Sequence, residues 1–168
     1  MIKKEIRARK IAWDIMKKAA FKDRRLSDVT AEIYRREGDN ISDQDRRFIT
    51  MLVQGTVRLT GRLDWELKQV FVGDYGDLKE GLRILLRLGV FQLFYMDSVP
   101  DYAAVTTTVQ LAKQIHSKLG GLTNAILRTL VSLEDRNIPD ENAPIANVAN
   151  YLSHPEWLIS NCLLYTSP

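Results

Sequence analysis

The chain has 168 residues, 45% of them hydrophobic and 27% charged, with a formal net charge of +3. That is the size and balance of one globular domain, and it excludes a disordered tail, a collagen-like chain and a disulfide scaffold. No apolar run approaches the roughly 18 residues that span a bilayer and no secretory signal is visible; a single cysteine, Cys162, with two histidines, His116 and His154, leaves no internal disulfide, CxxC pair or metal cluster. The expectation is a cytoplasmic domain without cofactor or membrane attachment.

Helical periodicity runs along nearly the whole chain. From Lys3 to Ala20, the apolar residues Ala8, Ile11, Ala12, Ile15 and Ala19 recur at three- and four-residue steps. Lys3, Arg7, Lys10, Asp14 and Lys17 recur at the same steps on another face, which predicts one helix with an apolar and a basic stripe. Ser27 is the expected N-cap of a second helix that turns Val29 and Ile33 inward and ends at Gly38. Ser42, with Asp45 three residues on, reads as the cap of a third helix carrying Phe48, Met51, Leu52 and Val53 and ending near Thr60 and Gly61. Leu63 to Val72 is predicted as a fourth, broken by Gly73 and Gly76.

Asp77 and Glu80 are the expected cap and N3 residue of a fifth helix over Leu78 to Tyr95. It is apolar on nearly every side, which suits the middle of a bundle. Pro100 fits the first turn of a sixth helix, carrying Ala103, Ala104, Val109 and Ala112. Gly120 and Gly121 are expected to precede a last helix with Leu122, Ala125, Ile126 and Leu130, and Pro139 and Pro144 to bracket a polar linker. No alternating strand pattern or internal repeat interrupts this. The fold class is all-α, a bundle of about seven helices ending near Asp135.

The charge is unevenly placed. Residues 1–70 carry 17 basic and 11 acidic side chains, and residues 71–168 carry 7 and 10. A basic end on a mildly acidic body suits a polyanion partner. The basic stripe of the first helix is therefore the candidate binding surface: Lys3, Lys4, Arg7, Arg9 and Lys10, with Arg46. Lysine and arginine neutralise phosphates and release counterions, and arginine adds bidentate bonds or stacking on unpaired bases. Arg24, Arg25 and Arg47 extend the patch if their helices lie alongside. The competing reading is a solvated helix face.

Catalytic signatures are absent. The sequence has no G-x-G-x-x-G, Walker loop, G-x-S-x-G or H-E-x-x-H. Asp43 and Asp45 fall where carboxylates offset a helix dipole, and His116 falls near a predicted helix end. Trp13, Trp65 and Trp157 are read as packing residues. Arg83 and Arg87, four apart on the apolar helix, require partners, and Arg87 is read as structural.

These residues also fall into recognisable blocks. Asp45-Arg46-Arg47-Phe48, followed by Leu52-Val53-Gln54-Gly55-Thr56-Val57-Arg58, resembles the D-R-x-F…L-V-x-G-x-x-R signature of NusB-like domains. Leu85-Leu86-Arg87-Leu88-Gly89 with Phe91-Gln92-Leu93 resembles that family's central helix. Pro100 with Ala103, Ala104 and Val105, then Val109, Leu111, Ala112 and Lys113, resembles the next helix, and Asn124-Ala125-Ile126-Leu127-Arg128 the last. The blocks occur in order over about residues 5–135. Leu152-Ser153-His154-Pro155-Glu156-Trp157-Leu158-Ile159 then resembles the S-x-P-x-W-L segment that leads into the catalytic half of RsmB (Sun/Fmu) ribosomal RNA cytosine-C5 methyltransferases.

The resemblance implies a division into residues 1–135, a NusB-like RNA-binding domain, and residues 136–161, a linker and the start of a methyltransferase half. It implies a ribosomal RNA partner and a substrate-positioning role. S-adenosylmethionine and two catalytic cysteines would lie beyond this segment, so the chain alone is expected to be inactive. Cys162 matches neither catalytic context. The alternative is a stand-alone NusB-type transcription antitermination factor that binds RNA and a protein partner.

Cys162 to Pro168 can be encoded by TGT CTC TTA TAC ACA TCT CC with any final base. That resembles the transposon mosaic end used as a library adapter, so residues 162–168 are expected to be non-native, the competing reading being a genuine apolar tail.

Overall fold

In the computed structural model, backbone is described for residues 2–133, 138–139 and 142–166, and side chains for 5–133, 138–139 and 142–162. The described residues form nine α-helices: α1 (Ile2–Lys22), α2 (Leu26–Glu37), α3 (Asp43–Arg58), α4 (Thr60–Val70), α5 (Glu80–Tyr95), α6 (Asp101–Ile115), α7 (Leu119–Ser132), α8 (Ile145–Leu152) and α9 (Glu156–Thr166). Gly38–Asn40 and Tyr75–Asp77 add single 3-10 turns. The expected end of the bundle at Asp135 lies outside the described residues.

The apolar helix α5 is central, as its sequence requires. It packs against α1, α3, α4, α6 and α7. Ile84, Leu85, Leu86, Leu88 and Val90 are buried on it, each contributing about 1.5–3 kcal/mol. Gly89 lets α6 and α7 close on this helix: a Cβ there would stand 3.1 Å from Leu127 and from the Thr108 methyl. Trp13 ties α1 to the start of α5, donating its indole N–H to the Gly81 carbonyl at 2.7 Å.

Helix starts obey backbone geometry more closely than single cap residues suggest. Ser42 caps α3 as expected: its Oγ accepts from the Asp45 amide at 3.2 Å. Ser27 does not cap α2. The Asp28 and Val29 amides already bond the Arg25 carbonyl, so the helix starts at Leu26, which packs on the core. Asp77 does not cap α5 either. Tyr75 is buried, its segment turns off the helix axis, and the ladder starts from the Lys79 carbonyl. Gly120 and Gly121 lie inside α7 rather than before it. A Cβ at Gly120 would meet the Lys113 side chain at 2.5 Å, so glycine permits the close start of α7 on α6.

The segment expected as linker is partly helical. Pro144 stands at the N-cap of α8, and α8 packs on α4. Ser153 ends α8 in the left-handed conformation, φ 54°, and its Oγ accepts from the Arg62 amide at 2.7 Å. The buried Arg62 guanidinium lies 3.6 Å from the Tyr151 ring and donates to Glu66 at 2.8 Å. Ile159 is buried, whereas Trp157 is 65% exposed. The expected native boundary at residue 162 falls within α9, and residues 167–168 lie outside the described residues.

Candidate nucleic-acid interface

Arg7 and Lys10 share the outer face of α1 with half of each side chain exposed. Arg7 donates to Glu37 at 2.9 Å and to the Asn40 carbonyl at 3.1 Å. Lys10 pairs with Asp14 one turn on, at 2.9 Å. Such exposed pairs are weak and exchange readily for a phosphate. The side chains of Lys3 and Lys4, in the first turn of α1, lie outside the described residues.

Arg46 reaches the same turn from the opposite side. Its Nη2 donates to the Gly38 carbonyl at 2.7 Å, and its guanidinium lies 5.1 Å from the Tyr34 ring centre. Arg7 and Arg46 therefore both hold the Gly38–Asn40 turn, and the fold joins two cations far apart in sequence.

Arg9 departs from the expected surface. It is 5% exposed. Its Nε donates to Gln92 Oε1 at 2.6 Å, its Nη1 donates to the Glu5 carbonyl at 3.0 Å, and its guanidinium lies 4.9 Å from the Phe48 ring centre. Burial pulls its pKa down to about 10, which still leaves it charged at neutral pH. One position along α1 from the stripe is enough to turn Arg9 from solvent into the bundle.

The structure adds cations that the sequence reading left aside. Lys17, Lys18, Lys22 and Arg36 line an open groove of about 380 Å³ between α1 and α2, with Phe21 on its edge. Phe21 is 64% exposed, and the Lys17 ammonium lies over both the Trp13 and Phe21 rings, 4.5 and 5.9 Å from their centres. The signal available in sequence was a phenylalanine on the polar face, with Lys18 and Lys22 four apart beside it. Arg24 joins Lys18 on Glu32, at 2.7 Å. Hydrogen bonds from Lys18 first, then Arg24, hold the Glu32 carboxyl down at about 2. Arg7, then Arg36, similarly hold Glu37 below the usual carboxylate range.

Arg87 has the carboxylate partner its position required. It is bidentate on Asp64, at 2.7 and 2.8 Å, and reaches Glu80 at 3.2 Å. His116 stands at the C-cap of α6, exposed, its Nδ1 accepting from the Lys118 amide at 3.3 Å. Among the described residues, no group of three metal-ligating side chains occurs, and no helix is long and apolar enough to cross a membrane.

Residues 6–132 match the NusB family. Across 127 residues, the chain is 34% identical to the probable ribosomal RNA small subunit methyltransferase B of Bacillus subtilis, covering 73% of this chain and 28% of that protein. Across 122 residues, it is 38% identical to the Synechocystis protein of the same name, covering 71% and 27%. An Escherichia coli ribosomal RNA small subunit methyltransferase B is 27% identical over 159 residues, covering 94% and 35%. The chain thus spans about a third or less of the length of these relatives.

Proposed function

The chain belongs to the NusB family, and from that premise we propose that it is the RNA-binding, substrate-positioning part of a ribosomal RNA cytosine-C5 methyltransferase. In this reading residues 1–135 are the RNA-binding domain. Residues 136–161 lead toward a methyltransferase half, and residues 162–168 are adapter-derived. S-adenosylmethionine is bound by the other half of the parent protein, and no residue here is assigned to it. The chain by itself transfers no methyl group.

The observation that carries the RNA-binding role is the set of cations on α1 and α2: exposed Arg7 and Lys10 earlier on α1, then half-buried Lys17 with exposed Lys22 and Arg36 at the groove edged by Phe21. Such a face neutralises a phosphate backbone and offers a ring to an unpaired base. The names and coverage of the relatives support ribosomal RNA as the partner.

Fluorescence anisotropy against fragments of small-subunit ribosomal RNA, repeated across a salt series, tests this. Five neutralised phosphates correspond to a slope of about −4.5 in log affinity against log salt on duplex, and about −3.5 on single strands. The double variant R7E/K10E should bind more weakly with a shallower slope. Affinity that is absent, or insensitive to salt, overturns the proposal. The alternative, a NusB-type antitermination factor with a protein partner, is favoured by the family match alone. The methyltransferase relatives favour the first reading.

A further inference from the structure

A second groove, between α3 and α5, adjoins the candidate interface at Arg46, which lines it, but shares no residue with the groove edged by Phe21. On α3, Arg47, Met51, Gln54 and Arg58 follow one another at steps of four, three and four residues and form one wall. On α5, Phe91 and Tyr95 form the other. The groove encloses about 580 Å³, and no carboxylate lines it.

Its shape depends on Gly55. A Cβ at that position would fall 2.0 Å from the Phe91 ring, so only glycine lets the ring lie flush against the α3 backbone. Tyr95 stacks on Phe91, with centroids 5.6 Å apart and planes inclined by 19°. The result is a short aromatic stack entering the groove beside Met51, which is 47% exposed. Arg47 and Arg58 are both exposed. Neither has an ion pair or side-chain hydrogen bond among the described residues. Most other arginines here are engaged, as Arg7, Arg9, Arg46, Arg62 and Arg87 are.

We propose that the α3–α5 groove is a second binding site, for a single strand of RNA, with phosphates at Arg47 and Arg58 and an unpaired base laid against Met51 and Tyr95. Eleven helical steps separate the two arginines. At 1.5 Å of rise each, that is about 16 Å, the length of roughly five stacked nucleotides at 3.4 Å. Cations tracking a backbone beside stacked rings are the recurring solution for sequence-tolerant binding of single strands. A duplex presents no free base face to Tyr95, so the groove discriminates unpaired from paired RNA. This inference rests on the RNA-binding reading but assigns a different surface.

The test uses the whole chain and two probes, an unstructured 12-nucleotide RNA and a 12-base-pair RNA duplex, by anisotropy across a salt series. The variants are R47Q/R58Q in the groove and R7E/K10E on α1, each checked for an unchanged melting curve. The groove variant should lose roughly tenfold in affinity for the single strand, and its salt slope should become shallower by about 1.4. Its duplex affinity should fall far less than its single-strand affinity. Photocrosslinking of a 4-thiouridine version of the single strand should label the α3 or α5 peptides containing Met51 or Tyr95. Single-strand affinity and slope unchanged in R47Q/R58Q, or crosslinks confined to α1 and α2, overturns the groove while leaving the RNA-binding reading standing. Failure of the unmodified chain to bind either RNA overturns both. An acidic polyglutamate peptide that binds the groove in place of RNA, and is lost in R47Q/R58Q, assigns it to a protein partner and overturns the proposal.

Discussion

Arg9 donates its Nε–H to Gln92 Oε1 at 2.6 Å, joining α1 to the middle of α5. Gln92 completes its own bonding by donating to the Leu88 carbonyl at 2.8 Å. Both residues are almost fully buried, so the pair is a polar contact inside an apolar bundle. A buried charge-assisted bond of this kind makes each partner costly to remove alone.

Replacing Arg9 by Met should therefore destabilise the fold by about 1.5–3 kcal/mol, because Gln92 is left with an unpaired buried oxygen. The double change R9M/Q92L should recover much of that loss. Urea unfolding of the three proteins measures it. RNA affinity of the folded R9M protein should match that of the unmodified chain; a loss comparable to that of R7E/K10E would place Arg9 on the binding surface after all.

Asp64 is a second internal anchor. It accepts both bonds from Arg87 and the Tyr75 hydroxyl at 2.6 Å. Burial first, then the Asp64 charge, push the Tyr75 pKa well up, so its proton stays in that bond. Asp64→Ala leaves the Arg87 guanidinium buried without its carboxylate and should cost about 3–5 kcal/mol. Tyr75→Phe removes one bond and should cost less, roughly 1.5–3 kcal/mol. Equal costs in urea titrations would mean that Arg87 finds enough compensation in Glu80.

Acid should weaken the α1–α2 contact. The Glu32 carboxyl, ordinarily near 4.5, is held at about 2 in the folded chain by Lys18 and Arg24. As pH falls below 4.5 the unfolded chain takes up a proton that the folded chain refuses, so stability drops until pH reaches about 2. Glu37 acts in the same direction. Melting temperatures between pH 5 and pH 2.5 should fall less steeply in E32Q than in the unmodified chain. Parallel curves would show that the pairs with Lys18 and Arg24 do not persist in solution.

The contact of α8 with α4 should yield to a single methyl group. A Cβ on Gly61 would stand 3.1 Å from the Asn150 carbonyl oxygen and 3.3 Å from the Ser153 Cα. Ser153→Ala removes the acceptor of the Arg62 amide, a loss of the size of a helix cap, about 0.5–2 kcal/mol. Hydrogen exchange of residues 145–152 should speed up in G61A and S153A while α5 remains protected. Unchanged exchange in α8 would mean that Arg62 and Tyr151 hold it without them.

The helical class, the central place of α5 and the cap at Ser42 could be read directly from the residues. An all-round apolar helix can be satisfied only in the middle, and a serine three residues before an aspartate serves its own helix. Helix starts at α2, α5 and α7 were less legible, because Leu26, Tyr75 and Gly120 take their places from contacts with other elements. The division of the basic residues was illegible for the same reason. Arg7, Arg9 and Lys10 are neighbours in sequence, yet two face water and one faces Gln92.

Local periodicity and charge therefore determined the fold class, the family blocks and the basic end, since each depends on spacing along one helix. Only tertiary structure decided which cations remain available. That choice depends on which partners other helices bring: Gln92 to Arg9, Asp64 to Arg87, Tyr151 to Arg62, and no carboxylate in the groove of Arg47 and Arg58. Distances across a bundle are set by packing between elements, and packing has no period in the sequence.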